Sequence, residues 1–189
     1  RQPTGADNYF SLDYVTAGEH LARRALAQRP GHIGIFCEPL EYAHSACFIQ
    51  AIQETCRTVS PQAKLTVLSS QAGESNTVAF DFFRGVPPDI FITQDSDKTR
   101  AVTQAAWFGS AQPCPPILQL SDNLPAAFDG VTNYQMDYGR LGTAIASHIR
   151  QPKKQVTHRI LTNSGFSLDG QSVQPPETEA TLNILILPS

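Results

Sequence analysis

Polar side chains stand directly after three short apolar runs of this sequence and are the best candidates for binding chemistry. They are Glu38 after Ile33–Cys37, Gln94 and Asp95 after Asp89–Thr93, and Asp122 and Asn123 after Ile117–Leu120. A carboxylate accepts hydrogen bonds while an amide both donates and accepts, so a neighbouring carboxylate and amide can bind the vicinal hydroxyl groups of a sugar. Such runs are typical of buried parallel strands, and ligands of open α/β sheets bind beyond the carboxyl ends of these strands. We therefore expect one shared crevice for a small polar molecule.

Several of these candidates also have a purely structural interpretation. Asp122 could close an Asx-turn in its loop, and Asp95 could cap the helix predicted to follow it. Asp13 could cap a helix or reach the crevice. His44 and Cys47 lie three residues apart on one helix face, where Cys47 is predicted to pack in the core. We expect the loss of Asp122 to reduce ligand binding most.

The elements that must position these side chains alternate between strands and helices. Strands are predicted at Tyr9–Asp13, Ile33–Cys37, Lys64–Leu68, Asp89–Thr93, Ile117–Leu120, Val131–Tyr134 and Gln155–Leu161. Helices are predicted at Tyr14–Ala27, Tyr42–Cys56, from a cap at Ser75 and Asn76 to about Arg84, at Asp97–Phe108 and at Tyr138–Ile149. This alternation predicts the α/β class, with a parallel sheet flanked by helices. Residues 170–181 have the composition of a linker.

Composition restricts the class of protein. The chain has 189 residues, 41% of them hydrophobic, which supports a packed core, and its net charge of -3 argues against a nucleic-acid surface. No apolar run approaches the roughly 20 residues that span a bilayer. The sequence starts at Arg1 without a visible signal peptide, so we expect a fragment or a processed chain. The four cysteines lack metal spacing, which predicts reduced thiols in a cytoplasmic protein.

The sequence contains no recognisable catalytic motif. It has no glycine-rich phosphate loop, no nucleophile elbow and no closely paired histidines or cysteines. Asp95 and Asp122 could meet as an acid–base pair, but no nucleophile accompanies them. We therefore expect a protein that is not an enzyme and that uses no cofactor and no metal.

The order and spacing of several stretches resemble the effector-binding region of the LacI/GalR family of bacterial transcription repressors, closest to its fructose-repressor branch. Asn8–Gly18 is similar to the family's strand–Asp–helix passage, Pro30–Phe36 to "GHRRIGFI", Pro88–Asp95 to "PDAIFAxND", Leu120–Phe128 to "FGDNELLDF", and Thr132–Gln135 to "TTIxQ". The likeness covers roughly residues 1–166. It implies a periplasmic-binding-protein-like α/β fold, represented mainly by its C-terminal lobe.

The resemblance also implies an organisation and a function. Residues 1–30 would be the end of a first lobe and its crossover, 31–150 the C-terminal effector-binding lobe, and 151–189 a return strand and tail. A sugar or sugar phosphate would bind between two lobes and change the affinity for DNA through an N-terminal domain that this sequence lacks. Gln135 would stand at a lobe-crossing hinge. A homodimer would form through Asp97–Phe108 and Phe128–Tyr134.

The sequence departs from the family where an arginine usually holds an anionic effector. The matching positions are Cys47, Gln50 and Ala51. A thiol cannot make the bidentate contact of a guanidinium, which argues against a phosphosugar, although His44 lies one turn away. The alternatives are a periplasmic sugar-binding protein of a transporter and a flavodoxin-like enzyme.

Overall fold

The computed structural model describes residues 8–109, 113–121, 130–150, 157–161, 165–168 and 171–172. Its strands are β1 (Asn8–Leu12), β2 (His32–Cys37), β3 (Lys64–Ser69), β4 (Ile90–Thr93), β5 (Ile117–Ser121), β6 (Val131–Gln135), β7 (Thr157–Leu161), β8 (Gly165–Leu168) and β9 (Gln171–Ser172). Its helices are α1 (Tyr14–Leu26), α2 (Ala43–Val59), α3 (Ser75–Phe83), α4 (Ser96–Gly109) and α5 (Tyr138–Arg150). Asp122 and Asn123 lie outside the described residues.

Seven strands form the main sheet in the order β3-β2-β4-β5-β6-β8-β9. The first five are parallel, β8 pairs antiparallel with β6, and β9 pairs antiparallel with β8. β1 and β7 pair in parallel as a separate sheet. From β2 the chain moves outward to β3 and then returns to the other side of β2 as β4. Such a reversal is the switch point at which the carboxyl ends of strands leave a crevice. The predicted α/β class is confirmed.

Both faces of the central strands are covered, which explains their unbroken apolar runs. One face packs mainly against α1 and α2, with Ile33, Ile92 and Leu118 in its core. The opposite face packs against α3 and α4 around Phe91, whose ring stacks on Phe83 at a centroid distance of 5.7 Å. No helix in the described ranges is long and apolar enough to span a membrane.

The two helices on the first face approach each other unusually closely at Gly18. A Cβ atom there would lie 2.6 Å from the backbone oxygen of Phe48 and 3.0 Å from Cβ of Ala51. Because the nearest atom belongs to the backbone of α2, a side chain at position 18 would push the helices apart. This contact fixes α1, which begins at Tyr14, relative to α2, which carries His44.

The structure corrects three of the sequence predictions. Ser75 does not cap α3, because Glu74 occupies the N-cap without a side-chain hydrogen bond, while the Ser75 hydroxyl contacts Ser70 and Asp97. Cys47 is exposed rather than in the core. Tyr134, which was expected at a subunit interface, is buried.

The environment of Tyr134 explains its burial. The side chain is 1% exposed, and its hydroxyl lies 3.1 Å from Nδ1 of His20 in α1.

The cysteines inside the core behave differently from the exposed Cys47. Burial raises the pKa of Cys37 to about 12 and that of Cys56 to about 11, so both thiols stay protonated at neutral pH.

Candidate functional site

A cavity of about 300 Å³ opens at the carboxyl edge of the main sheet, next to the switch point between β2 and β4. Its lining comes from the strand ends and from the first residues of the helices that follow them: Tyr14, Glu38, His44, Gln94, Asp95, Ser96, Asp97, Leu120, Met136 and Tyr138. The volume lies at the lower end of the roughly 300–1,000 Å³ typical of small-molecule sites. The cavity therefore suits a ligand the size of a monosaccharide.

Glu38 and His44 form one wall of the cavity. Nε2 of His44 lies 2.7 Å from Oε2 of Glu38, and each side chain is about two-fifths exposed. The imidazole also stacks on the ring of Tyr42 and lies 5.2 Å from the ring of Tyr14. These contacts hold His44 beside the cavity and couple the end of β2 to the first turns of α1 and α2.

Gln94 positions this wall from the end of β4. Its side-chain oxygen accepts a hydrogen bond from the backbone N–H of Glu38, and its Nε2 donates to Oγ of Ser45, both at 3.0 Å. The side chain is 5% exposed. Its amide is therefore largely committed to holding β2, β4 and α2 together, with one N–H hydrogen remaining for a ligand.

Asp95 combines the structural and the binding interpretations. Its Oδ1 accepts a 2.8 Å hydrogen bond from the backbone N–H of Lys98, which caps α4, while the carboxyl group lines the cavity. The side chain is 17% exposed. Burial raises the pKa of Asp95, against the opposing effects of the backbone hydrogen bond and the charge of Lys98. The carboxylate is thus poorly hydrated and available to a ligand's hydroxyl groups.

Asp97 also lines the cavity, and the buried Lys98 lies next to it outside the lining. Asp97 accepts hydrogen bonds from the Ser75 hydroxyl at 2.5 Å and from Arg100 at 2.6 Å. The pKa of Asp97 is lowered, chiefly by the hydrogen bond from Ser75. Lys98 is 2% exposed, and its Nζ lies 3.8 Å from Asp95, 3.7 Å from Asp97 and 5.8 Å from the centroid of the Phe36 ring.

Four of the predicted candidates line the cavity, namely Glu38, His44, Gln94 and Asp95. Asp13 does not; it caps α1, accepting hydrogen bonds from the backbone N–H and the hydroxyl of Thr16. Cys47 lies outside the lining, and Gln135 ends β6 one residue before the lining Met136. In the sequence, Asp122 and Asn123 directly follow β5.

Sequence reasoning missed an aromatic pair in the lining. Tyr14 and Tyr138 begin α1 and α5, and their hydroxyl groups lie 3.2 Å apart. Both are the first residue of a helix that follows a strand, which is a signal that could have been used. Within the described ranges no three histidine, cysteine, aspartate or glutamate residues are arranged to hold a metal ion.

The fold is similar to those of several solved structures of transcription regulators. The chain is similar to a LacI family transcription regulator from Clostridium acetobutylicum (TM-score 0.65, 12% identity, covering 85% of this chain and 65% of that one). It is also similar to a putative ribose operon repressor from Burkholderia thailandensis (TM-score 0.68, 15% identity, covering 84% and 62%). A third match is the Cra transcriptional dual regulator from Pseudomonas putida in complex with fructose 1-phosphate (TM-score 0.67, 15% identity, covering 85% and 63%).

At these identities the likeness shows the fold alone, a parallel sheet flanked by helices that this chain shares with these LacI-type regulator structures. The chain spans somewhat less than two thirds of the length of these structures. No protein-family model matches the sequence, and no curated protein matches it.

Proposed function

We propose that this chain is the ligand-sensing region of a LacI-type transcription regulator in the cytoplasm, which binds a sugar or sugar phosphate and thereby modulates binding to DNA. The observation that carries the proposal is the cavity at the switch point of the sheet, whose lining includes three carboxyl groups and two tyrosine rings. Pockets of this kind pair a few polar groups with apolar surface, as a sugar ring requires.

The proposed contacts are of two kinds. Asp95 accepts hydrogen bonds from ring hydroxyls, with Asp97 and Glu38 beside it. Tyr14 and Tyr138 pack against the less polar face of the ring. We propose that Asp122 and Asn123, which follow β5 in the sequence, add further hydrogen-bond acceptors for the ligand. Gln135 would lie at the hinge where the chain crosses to a second lobe.

The cavity is linked to the β1–β7 pair, which offers a route for the signal. Tyr14 lines the cavity one residue after Asp13, whose backbone N–H donates to the carbonyl of Leu161 at the end of β7. A ligand that contacts Tyr14 would therefore favour one placement of the β1–β7 pair. Only such differential affinity for two forms lets an effector shift their equilibrium.

Calorimetric titration tests the proposed site. We expect fructose, glucose or lactose to bind the protein, and Asp95→Ser to weaken the best of them roughly tenfold through loss of the carboxylate acceptor. Serine keeps an oxygen that can cap α4, so helix stability is preserved. Asp81→Ser on the exposed surface of α3 is the matched control and should bind like wild type.

Two outcomes would count against this site. One is that none of the sugars binds the wild-type protein. The other is that Asp95→Ser binds as tightly as wild type, which would leave Asp95 with its capping role alone. Asp122→Ala, measured in the same series, is expected to show the largest loss.

We further propose that the regulator is a homodimer that uses the C-terminal end of α4. Trp107 and Phe108 are 70% and 78% exposed there, and adjacent apolar side chains of this size mark interaction surfaces. In sedimentation at tens of micromolar protein we expect a dimer, and Trp107→Arg should give monomers because it places a charge in the contact. Ile149→Arg at the end of α5 is the control. A wild-type monomer, or a variant that still dimerises, would contradict the proposal.

A further inference from the structure

We infer that the cavity selects its ligand by charge: it takes a neutral or amino-substituted sugar and rejects phosphorylated sugars, with Asp95 as the discriminating residue. This inference rests on the proposed function and narrows it to one class of effector. It follows from the charges around the cavity and from the capping of the helix N-termini that open into it.

The described lining is rich in carboxyl groups and poor in cations. Glu38, Asp95 and Asp97 line the cavity, at the two strand ends that the switch point brings together. Among the described lining residues His44 alone can carry a positive charge, and its Nε2 already contacts Glu38 at 2.7 Å. A phosphate would therefore enter beside three acidic groups, and juxtaposed like charges oppose binding strongly.

The buried Lys98 does not reverse this balance. It lies outside the lining, and its Nζ is shared between Asp95 and Asp97 at 3.8 and 3.7 Å. Its ammonium group lies over the ring of Phe36, 5.8 Å from the centroid. Arg100 also contacts Asp97, so the two cations together offset the charges of Asp95 and Asp97. Both cations lie outside the lining, however, and the acidic groups that line the cavity are Glu38, Asp95 and Asp97.

Helix N-termini, which commonly bind phosphate, are already occupied by carboxylates here. α1, α4 and α5 all contribute their first residue to the lining. In each of them the preceding aspartate accepts the backbone N–H three residues further on: Asp13 from Thr16, Asp95 from Lys98, and Asp137 from Arg140. The positive ends of these three helices are therefore matched by their own side chains rather than open to an anion.

α2 is the exception, because its N-terminus has no side-chain cap. Its first turn nevertheless carries His44, which faces Glu38. An anion arriving there would have to displace the glutamate from the imidazole. A hydroxyl group, by contrast, can donate to any of the free carboxylate oxygens, and an ammonium group would form a stronger, charge-assisted contact.

Paired titrations at neutral pH and physiological ionic strength test the inference. The probes are fructose against fructose 1-phosphate, and glucose and glucosamine against glucose 6-phosphate. We expect each sugar phosphate to bind about tenfold or more weakly than its unphosphorylated partner. Asp95→Asn keeps the cap but removes the charge, and it should shrink this ratio roughly fivefold, because one repulsive group is gone while the shape of the site is kept. Asp81→Asn should leave the ratio unchanged.

The outcomes distinguish a failure of charge selection from a failure of the proposed sensor function. If a sugar phosphate binds as tightly as its parent sugar or more tightly, charge selection is overturned while the proposed sensor function stands. If Asp95→Asn lowers sugar affinity but leaves the ratio at the wild-type value, Asp95 is not the discriminating residue and the inference fails. If no sugar of either kind binds, the proposed function falls and takes the inference with it.

Discussion

Replacing Gly18 with valine is expected to lower the free energy of unfolding by about 3 kcal/mol, at the upper end of the usual cost of overpacking. The nearest obstacle to a side chain is the backbone oxygen of Phe48, only 2.6 Å from the Cβ position. A flexible side chain could rotate away from the new atoms, but backbone cannot. The helices α1 and α2 must therefore separate, which exposes Leu21 and Ile52 from the core between them.

Gly142→Val is the matched control for this change. Gly142 also lies within a helix, α5, but apart from its chain neighbours and its own helix backbone no atom of the described residues lies within 4 Å of its Cβ position. Its replacement should alter the free energy of unfolding by less than about 1 kcal/mol, within the range of helix propensities. Denaturant unfolding of both variants measures the difference. Equal effects at positions 18 and 142 would show that the close approach of the helices does not constrain the fold.

Lys98→Met is expected to destabilise the protein by about 3 kcal/mol at neutral pH, because it removes one partner from a buried ionic group. Asp95 would lose the cation that partly offsets its burial, so its pKa, already raised by desolvation, would rise further. Asp97 would remain held by Ser75 and Arg100. The loss should therefore come mainly from Asp95.

The pH dependence of this variant identifies the group responsible. A group whose pKa is higher in the folded than in the unfolded state adds stability as the pH falls, because the folded protein binds the proton more tightly. Lys98→Met should thus recover stability between neutral and mildly acidic pH. Adding Asp95→Asn should remove both the deficit and its pH dependence. A deficit that is the same at every pH and survives Asp95→Asn would point to lost packing over Phe36 instead.

The strands that build the site could be predicted because they are covered on both faces. β2 and β4 appear as short apolar runs and β5 as one interrupted by Gln119, and the polar residues that follow the first two do line the cavity. β8 and β9 were not foreseen, since strands of four and two residues show no usable periodicity. β9 falls within the stretch that composition assigned to a linker.

The errors concern side chains whose placement depends on partners far away in the sequence. Cys47 was assigned to the core, but α2 turns Ser45, Phe48 and Ile49 inward and leaves Cys47 outside. Tyr14 and Tyr138 were missed because only the packing of α1 and α5 at one end of the sheet brings their hydroxyl groups within 3.2 Å. The local pattern could place both tyrosines at helix starts that follow strands, but it carries no information about the distance between their hydroxyl groups.

The most direct test of the central claim, that a ligand occupies the cavity at the switch point, is to map its contacts in solution. The ¹⁵N-labelled protein would be titrated with the tightest-binding sugar of the calorimetric series while amide chemical shifts are recorded. The account predicts that the largest shift changes cluster at Glu38, at residues 94–97 and at Met136. Changes centred instead on α3 and on the C-terminal half of α4 would contradict it.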